Sequence, residues 1–189
     1  MVIVAGMHNL RARREAMARA QQNEVVLAKT DSPADSGADP MGQPMLGKVA
    51  PAFTLVNLNG KKVSLADFKG HAIVLNFWAT FCGPCKLEMP WFQQLVGKYQ
   101  GQGLVVLGLD QDEGMGTAEV ATAAKRVGVS YPILMPGDNK VGKDYQLGDY
   151  LPETFYIGKN GKVVDQTIGA HSMDEIEADI QKAIAAGGQ

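Results

Sequence analysis

The sequence predicts an α/β fold, a central mixed sheet flanked by helices. Three patterns carry that prediction. The run from His71 to Trp78 is almost entirely apolar and rich in Val, Ile, Leu and aromatics, as a strand covered on both faces must be. It is followed by apolar residues at helical spacing and then by a second apolar run, Leu104 to Leu109, which together make a parallel βαβ unit. Two later runs, Glu153 to Ile157 and Lys162 to Thr167, flank Asn160-Gly161, a dipeptide suited to the left-handed backbone of a tight antiparallel hairpin.

Ahead of these elements the chain has a different character. Met1 to Met7 is a short apolar patch followed by Arg11, Arg13 and Arg14, the reverse of a secretory signal, in which charge precedes the apolar run. Read as the clipped end of a membrane anchor, it sets those arginines against the positive-inside rule. Asn9 to about Glu24 favours helix, with Asn9 as N-cap but too few apolar residues for a core-facing stripe. It reads as a solvated helix, with a membrane-surface helix as the alternative. Thr30 to Gly47 is rich in Asp, Pro and Gly and reads as a linker. Residues 1–47 are therefore expected outside the folded unit, which is expected to span residues 48–189.

Within that unit, Phe53 to Val56 and Lys62 to Leu65 alternate around Asn59-Gly60 and predict a β-hairpin extension forming a small edge element. The central strand leads straight into two cysteines. From Cys85 to Tyr99 the residues Leu87, Trp91, Leu95 and Tyr99 recur at helical spacing, with Pro90 expected to kink the helix. After Leu104 to Leu109 come a helix over Thr117 to Val127, a strand over Tyr131 to Met135, a turn at Pro136-Gly137 and a short helix near Val141 to Tyr145. These form an inserted αβ segment. The hairpin and a helix from Met173 to Ala186 close the chain, with Ser172 as N-cap, Asp174 and Glu175 in the first turn and Gly187 beyond the end.

Composition narrows the function. The chain of 189 residues carries 18 Lys plus Arg against 20 Asp plus Glu, with no long run of either sign, so clustered cations for nucleic-acid phosphates are lacking. No stretch approaches the roughly 18 to 20 apolar residues that cross a bilayer. The only cysteines are Cys82 and Cys85, which excludes a stapled disulfide scaffold and directs attention to their spacing.

Cys82 falls where a buried strand becomes a helix, so unpaired backbone N–H groups of the first turn face its sulfur and favour the thiolate, the species that attacks disulfides. Cys82 is the expected nucleophile. Cys85, one turn on and on the covered side, is expected to resolve a mixed disulfide. Gly83 keeps bulk away from an approaching substrate, and Pro84 suits a first turn because its missing N–H would be unpaired there. To attack, Cys85 must lose a proton, and Glu88 lies one turn further along the same face as the expected acceptor; the bland alternative is a solvated helix carboxylate. Zinc requires a second ligand pair, and His8, His71 and His171 do not provide one, so no metal is expected. Inert core cysteines are the remaining alternative.

The run Asn76-Phe77-Trp78-Ala79-Thr80-Phe81-Cys82-Gly83-Pro84-Cys85-Lys86-Leu87-Glu88-Met89-Pro90 resembles the active-site region of the TlpA/ResA/CcmG-like thiol-disulfide oxidoreductases of the thioredoxin superfamily. The resemblance extends from about Val49 to the C-terminus, with the hairpin similar to the family's N-terminal extension and Gly114 to Met135 similar to its central insert. It implies a thioredoxin-like fold and a cis proline at Leu151-Pro152, across from the dithiol, that helps hold the substrate chain. Trp78, Phe81, Gly83, Pro84, Leu151, Pro152 and Glu153 are thereby expected at the substrate-binding surface. Glu153-Thr154-Phe155 is similar to the cytochrome c maturation thioredoxins, which favours an apocytochrome or maturation partner. Phe81 departs from the family's usual Trp, which changes the surface offered to a partner. Asn76 stands where thioredoxin carries a buried acid, which leaves Glu88 as the proton acceptor. The Gly-Pro dipeptide is thioredoxin's own and implies a reductase.

The resemblance further implies a disulfide-containing protein substrate, an upstream dithiol reductant protein, no cofactor, and the bacterial cell envelope or periplasm, with a cytoplasmic home left open. A peroxiredoxin-type thiol peroxidase is the rival enzyme, but its PxxxTxxC pattern fails: Thr80 is two residues before Cys82, and Leu75 stands where proline is required. A non-enzymatic binding module with an idle dithiol is the rival from another class. The run Asp110 to Gly114 has its glycine one residue early and Ala121 at the closing position of a calcium loop, so it reads as a solvated loop near the partner groove.

Overall fold

A computed structural model describes residues 43–187 of the chain. The expected helix over Asn9 to Glu24 and most of the expected linker lie outside the described residues. Packing begins ahead of the expected boundary at Lys48: Met45 is buried, and Gly47 N–H donates to Val163 O at 2.8 Å.

Seven strands form one mixed sheet: β1 (Thr54–Asn57), β2 (Lys62–Ser64), β3 (Ala72–Trp78), β4 (Leu104–Asp110), β5 (Ile133–Met135), β6 (Glu153–Ile157) and β7 (Val163–Ile168). Their order is β2-β1-β5-β4-β3-β6-β7. The pairs β3/β4 and β4/β5 are parallel, as crossover connections require, and the other neighbours are antiparallel. The N-terminal hairpin is joined to the main sheet through β5, with Val56 opposite Met135. The helices are α1 (Gly83–Tyr99), α2 (Thr117–Val127), α3 (Lys140–Asp144) and α4 (Met173–Ala185).

The strand β3 sits between β4 and β6 with every residue buried, which is why its sequence lacks the alternation of a one-sided strand. Its two-residue period still sorts the core. Ala72, Val74 and Trp78 join one apolar cluster with Met89, Phe92 and Leu95 of α1, Val120 of α2 and Ile176 and Ile180 of α4. Ile73, Leu75 and Phe77 point to the opposite face, where Phe77, Tyr145 and Phe155 stack with ring centroids 5.1 to 5.8 Å apart.

Local signals explain the element ends. Ser172 and Glu175 form a reciprocal capping box at the start of α4. Gly128 ends α2 with φ 83°, a left-handed conformation in which its N–H reaches Ala124 O and Lys125 O. The helix α1 continues through Pro90 to Tyr99. Gly108 of β4 is required by a close approach: a Cβ there would lie 2.6 Å from Ile133 Cδ1 and 3.3 Å from Trp78 Nε1.

Candidate active site

The strand β3 ends at Trp78 and the chain turns through Ala79-Thr80-Phe81 into α1. Three bonds to the residues just after β4 hold this turn. Gln111 N–H donates to Trp78 O at 2.8 Å, and Asp112 accepts from Thr80 N–H at 2.7 Å and Thr80 Oγ1 at 2.9 Å. The loop that reads as solvated in the sequence thus supports the turn carrying Cys82. None of the three is legible in sequence, because all depend on the parallel register that sets Trp78 level with Asp110.

Cys82 is the N-cap of α1 and Pro84 its second residue. The Cys82 Sγ accepts from Cys85 N–H at 3.2 Å, so a first-turn amide that has no intrahelical partner is directed at the sulfur. The two cysteines form a disulfide with Cα atoms 5.4 Å apart. Cys82 retains 6% of its surface while Cys85 is fully buried, so Cys82 is the more accessible sulfur. Phe81, Leu87 and Tyr150 are exposed, as are Gly83 and Pro84.

Glu88 lies one helical turn beyond Cys85 and is only 2% exposed, so it is not a solvated carboxylate. Its Oε1 accepts from His171 N–H at 2.5 Å in the loop before α4. Burial pushes its carboxyl up to about 7, although the His171 hydrogen bond works the other way. The neighbouring Tyr131 phenol is pushed up by burial and by the Glu88 charge. A second carboxyl, Asp110 at the end of β4, is also pushed up to about 7, first by burial and then by Asp112 beside it.

The register Phe77 opposite Glu153 sets Pro152 level with Trp78 on the neighbouring strand, at the sheet end that leads to Cys82. The Leu151-Pro152 bond is cis. Leu151 is partly exposed, whereas Pro152 is buried. Of the residues expected at the substrate surface, three are buried: Pro152, and Trp78 and Glu153, whose side chains are both 0% exposed. Trp78 is packed into the helix-facing core, and Glu153 is turned inward, where it bonds Gly148 N–H and Gln166. Among the described residues no group of three or more His, Cys, Asp or Glu is placed to hold a metal ion.

The family model described as AhpC/TSA matches residues 46–166. The chain belongs to the AhpC/TSA family. Within this family the chain is 38% identical over 139 residues to the thiol-disulfide oxidoreductase ResA of Bacillus cereus, covering 72% of this chain and 78% of the relative. ResA of Bacillus subtilis is 36% identical over 123 residues, covering 65% of this chain and 67% of that one. A crystal structure of a thiol:disulfide interchange protein of the thioredoxin family from Chlorobium tepidum has a TM-score of 0.65 at 26% identity, covering 72% of this chain and 96% of that one. The AhpC/TSA match takes in the β1–β2 hairpin, and the ResA relatives place the activity in thiol-disulfide exchange. The protein is accordingly a thiol-disulfide oxidoreductase with the thioredoxin fold, acting on disulfide-containing proteins. No helix of the described residues is long and apolar enough to cross a membrane.

Proposed function

We propose that the protein is a reductase of partner-protein disulfides, with Cys82 as nucleophile, Cys85 as resolving thiol and Glu88 as proton acceptor. The observation that carries this reading is the placement of the more accessible sulfur at the helix N-terminus, accepting an amide N–H. In the reduced protein the Cys82 thiolate attacks one sulfur of a substrate disulfide, forms a mixed disulfide and expels the first substrate thiolate. Cys85 then gives its proton to Glu88 and attacks Cys82 Sγ, which releases the second thiolate and leaves the Cys82–Cys85 disulfide. Two electrons pass to the substrate, and an upstream dithiol protein returns them. A carboxyl near 7 suits this role because it takes up and releases a proton near neutrality.

The exposed apolar surface of Phe81, Leu87 and Tyr150 is the docking face for the partner polypeptide, with Gly83 and Pro84 beside the sulfur and Leu151-Pro152 at the adjacent strand end. Glu153-Thr154-Phe155, similar to the cytochrome c maturation thioredoxins, favours an apocytochrome or a maturation partner. The same likeness favours the bacterial cell envelope or periplasm. No cofactor enters the scheme.

The roles are separated by single substitutions. Reduced Cys85→Ser is expected to accumulate a mixed disulfide with insulin through Cys82, detected as a combined mass that dithiothreitol removes, whereas Cys82→Ser is expected to form almost none. Equal trapping by the two variants, or none by either, contradicts the assignment.

A further inference from the structure

Two side chains outside the dithiol chemistry occupy the buried ground behind the Leu151-Pro152 loop. Glu153 on β6 and Gln166 on β7 are both 0% exposed. They are diagonal neighbours across the hairpin, since Glu153 pairs with Ile168 and Phe155 with Gln166. A buried carboxyl or amide is costly unless bonded, and here each is bonded in two directions. Gly148 N–H donates to Glu153 Oε2 at 2.9 Å, so the side chain folds back five residues and closes the loop on itself. Gln166 Nε2 donates to Glu153 Oε1 at 2.7 Å. At the far end Met45 N–H donates to Gln166 Oε1 at 3.1 Å.

The ends of this chain of bonds are backbone groups in different segments. One lies in the loop that presents Leu151-Pro152, and the other in Gln43 to Lys48, where the chain enters the folded unit. The entering segment is seated by further contacts: Gln43 Nε2 donates to Asp165 Oδ1 at 3.0 Å, and the Met45 side chain is 3% exposed in the cluster against which Leu147 and Leu151 pack. Because both end groups only donate, the middle bond must run from an amide to a carboxyl oxygen.

We propose that Glu153 and Gln166 are positioning residues that couple the seat of the entering segment to the loop facing the dithiol, so that partner binding depends on Met45 being seated. The proposal rests on the reading of that loop as part of the substrate surface. Its logic is testable through the bond order. Glu153→Gln alone puts two amides between two donors, and whichever way they turn one donor meets another. Gln166→Glu alone sets two carboxyls face to face. The exchange E153Q/Q166E restores these three pairs, because the amide on β6 then donates to a carboxyl on β7 that accepts from Met45 N–H.

The test uses the full chain, with insulin turned over under dithiothreitol and the small aromatic disulfide DTNB reduced in a single turnover by protein that has been pre-reduced and then freed of dithiothreitol. Each single variant is expected to raise KM for insulin at least fivefold with kcat within twofold of wild type, and E153Q/Q166E to return it to within twofold. Met45→Ala is expected to raise the same KM, while the rate of DTNB reduction by Gln166→Glu and Met45→Ala stays within twofold. The proposal is overturned if the exchange is no better than the singles, if insulin and DTNB rates fall together, or if Met45→Ala leaves the insulin KM unchanged. A wild-type protein that reduces neither acceptor overturns the reductase reading itself, and the coupling with it.

Discussion

Glu88→Gln removes one charge and almost no volume from a site where the charge is poorly solvated. The carboxyl is held near 7 in the folded protein against an ordinary value of 4.5, mainly by burial. Between those two pH values the folded state keeps a proton that the unfolded chain has released. The stability linked to this group is therefore full below 4.5 and is lost as pH rises through about 7. At about 1.4 kcal/mol per pH unit, the gap corresponds to about 3 kcal/mol of destabilisation above neutrality. The amide replaces the carboxyl without that penalty and still accepts His171 N–H through its oxygen. Urea or thermal unfolding of the disulfide form is expected to show wild type and E88Q nearly equal at about pH 4, with E88Q more stable by about 3 kcal/mol at about pH 8. For a domain of this size that is a Tm gain of about 6 to 12 °C. The contribution of Asp110 is common to both proteins and cancels. The same substitution is expected to slow resolution of the Cys82 mixed disulfide by about 10²-fold at neutral pH while leaving its formation unchanged, followed by acid quenching and mass spectrometry. A stability difference that is constant with pH, or a variant less stable at about pH 8, refutes the buried-carboxylate argument.

Phe81→Ser removes a side chain that is 76% exposed beside the sulfur, and is expected to weaken binding of a protein substrate by about 1 to 2 kcal/mol in KM while leaving the reduction potential unchanged. Gly108→Ala forces a Cβ within 2.6 Å of Ile133 Cδ1 and is expected to cost about 1 to 3 kcal/mol in chemical denaturation, since the neighbours on that side include Trp78 in the core.

The elements of the fold were legible because their periods are strong. The apolar run of β3, the helical spacing after Cys85 and the Asn160-Gly161 turn each point to one local structure, and the crossover rules make β3 and β4 parallel, whereas the pairing of the N-terminal hairpin with β5 is not legible in sequence. Glu88 was legible by spacing alone, whereas its burial was not, because that depends on the loop before α4 arriving with the His171 amide. Trp78 and Glu153 show the opposite case. A resemblance places residues in a neighbourhood, but a strand's two faces decide which side chains reach the surface, and these two turn inward. The bonds of Gln166 to Glu153 and of Asp112 to Thr80 are not legible in sequence, because these partners, 13 and 32 residues away, meet only through strand pairing. Met45 sits in a segment whose Pro and Gly content reads as linker, yet its side chain is buried in the cluster against which Leu147 and Leu151 pack.

The reduction potential of the Cys82–Cys85 pair tests the reductase reading most directly, measured by equilibrating the protein against defined thiol buffers and counting free thiols. A value of about −270 mV or lower is expected, in the range of thioredoxin, whereas a value near −120 mV belongs to a disulfide donor and contradicts the proposed direction of electron flow.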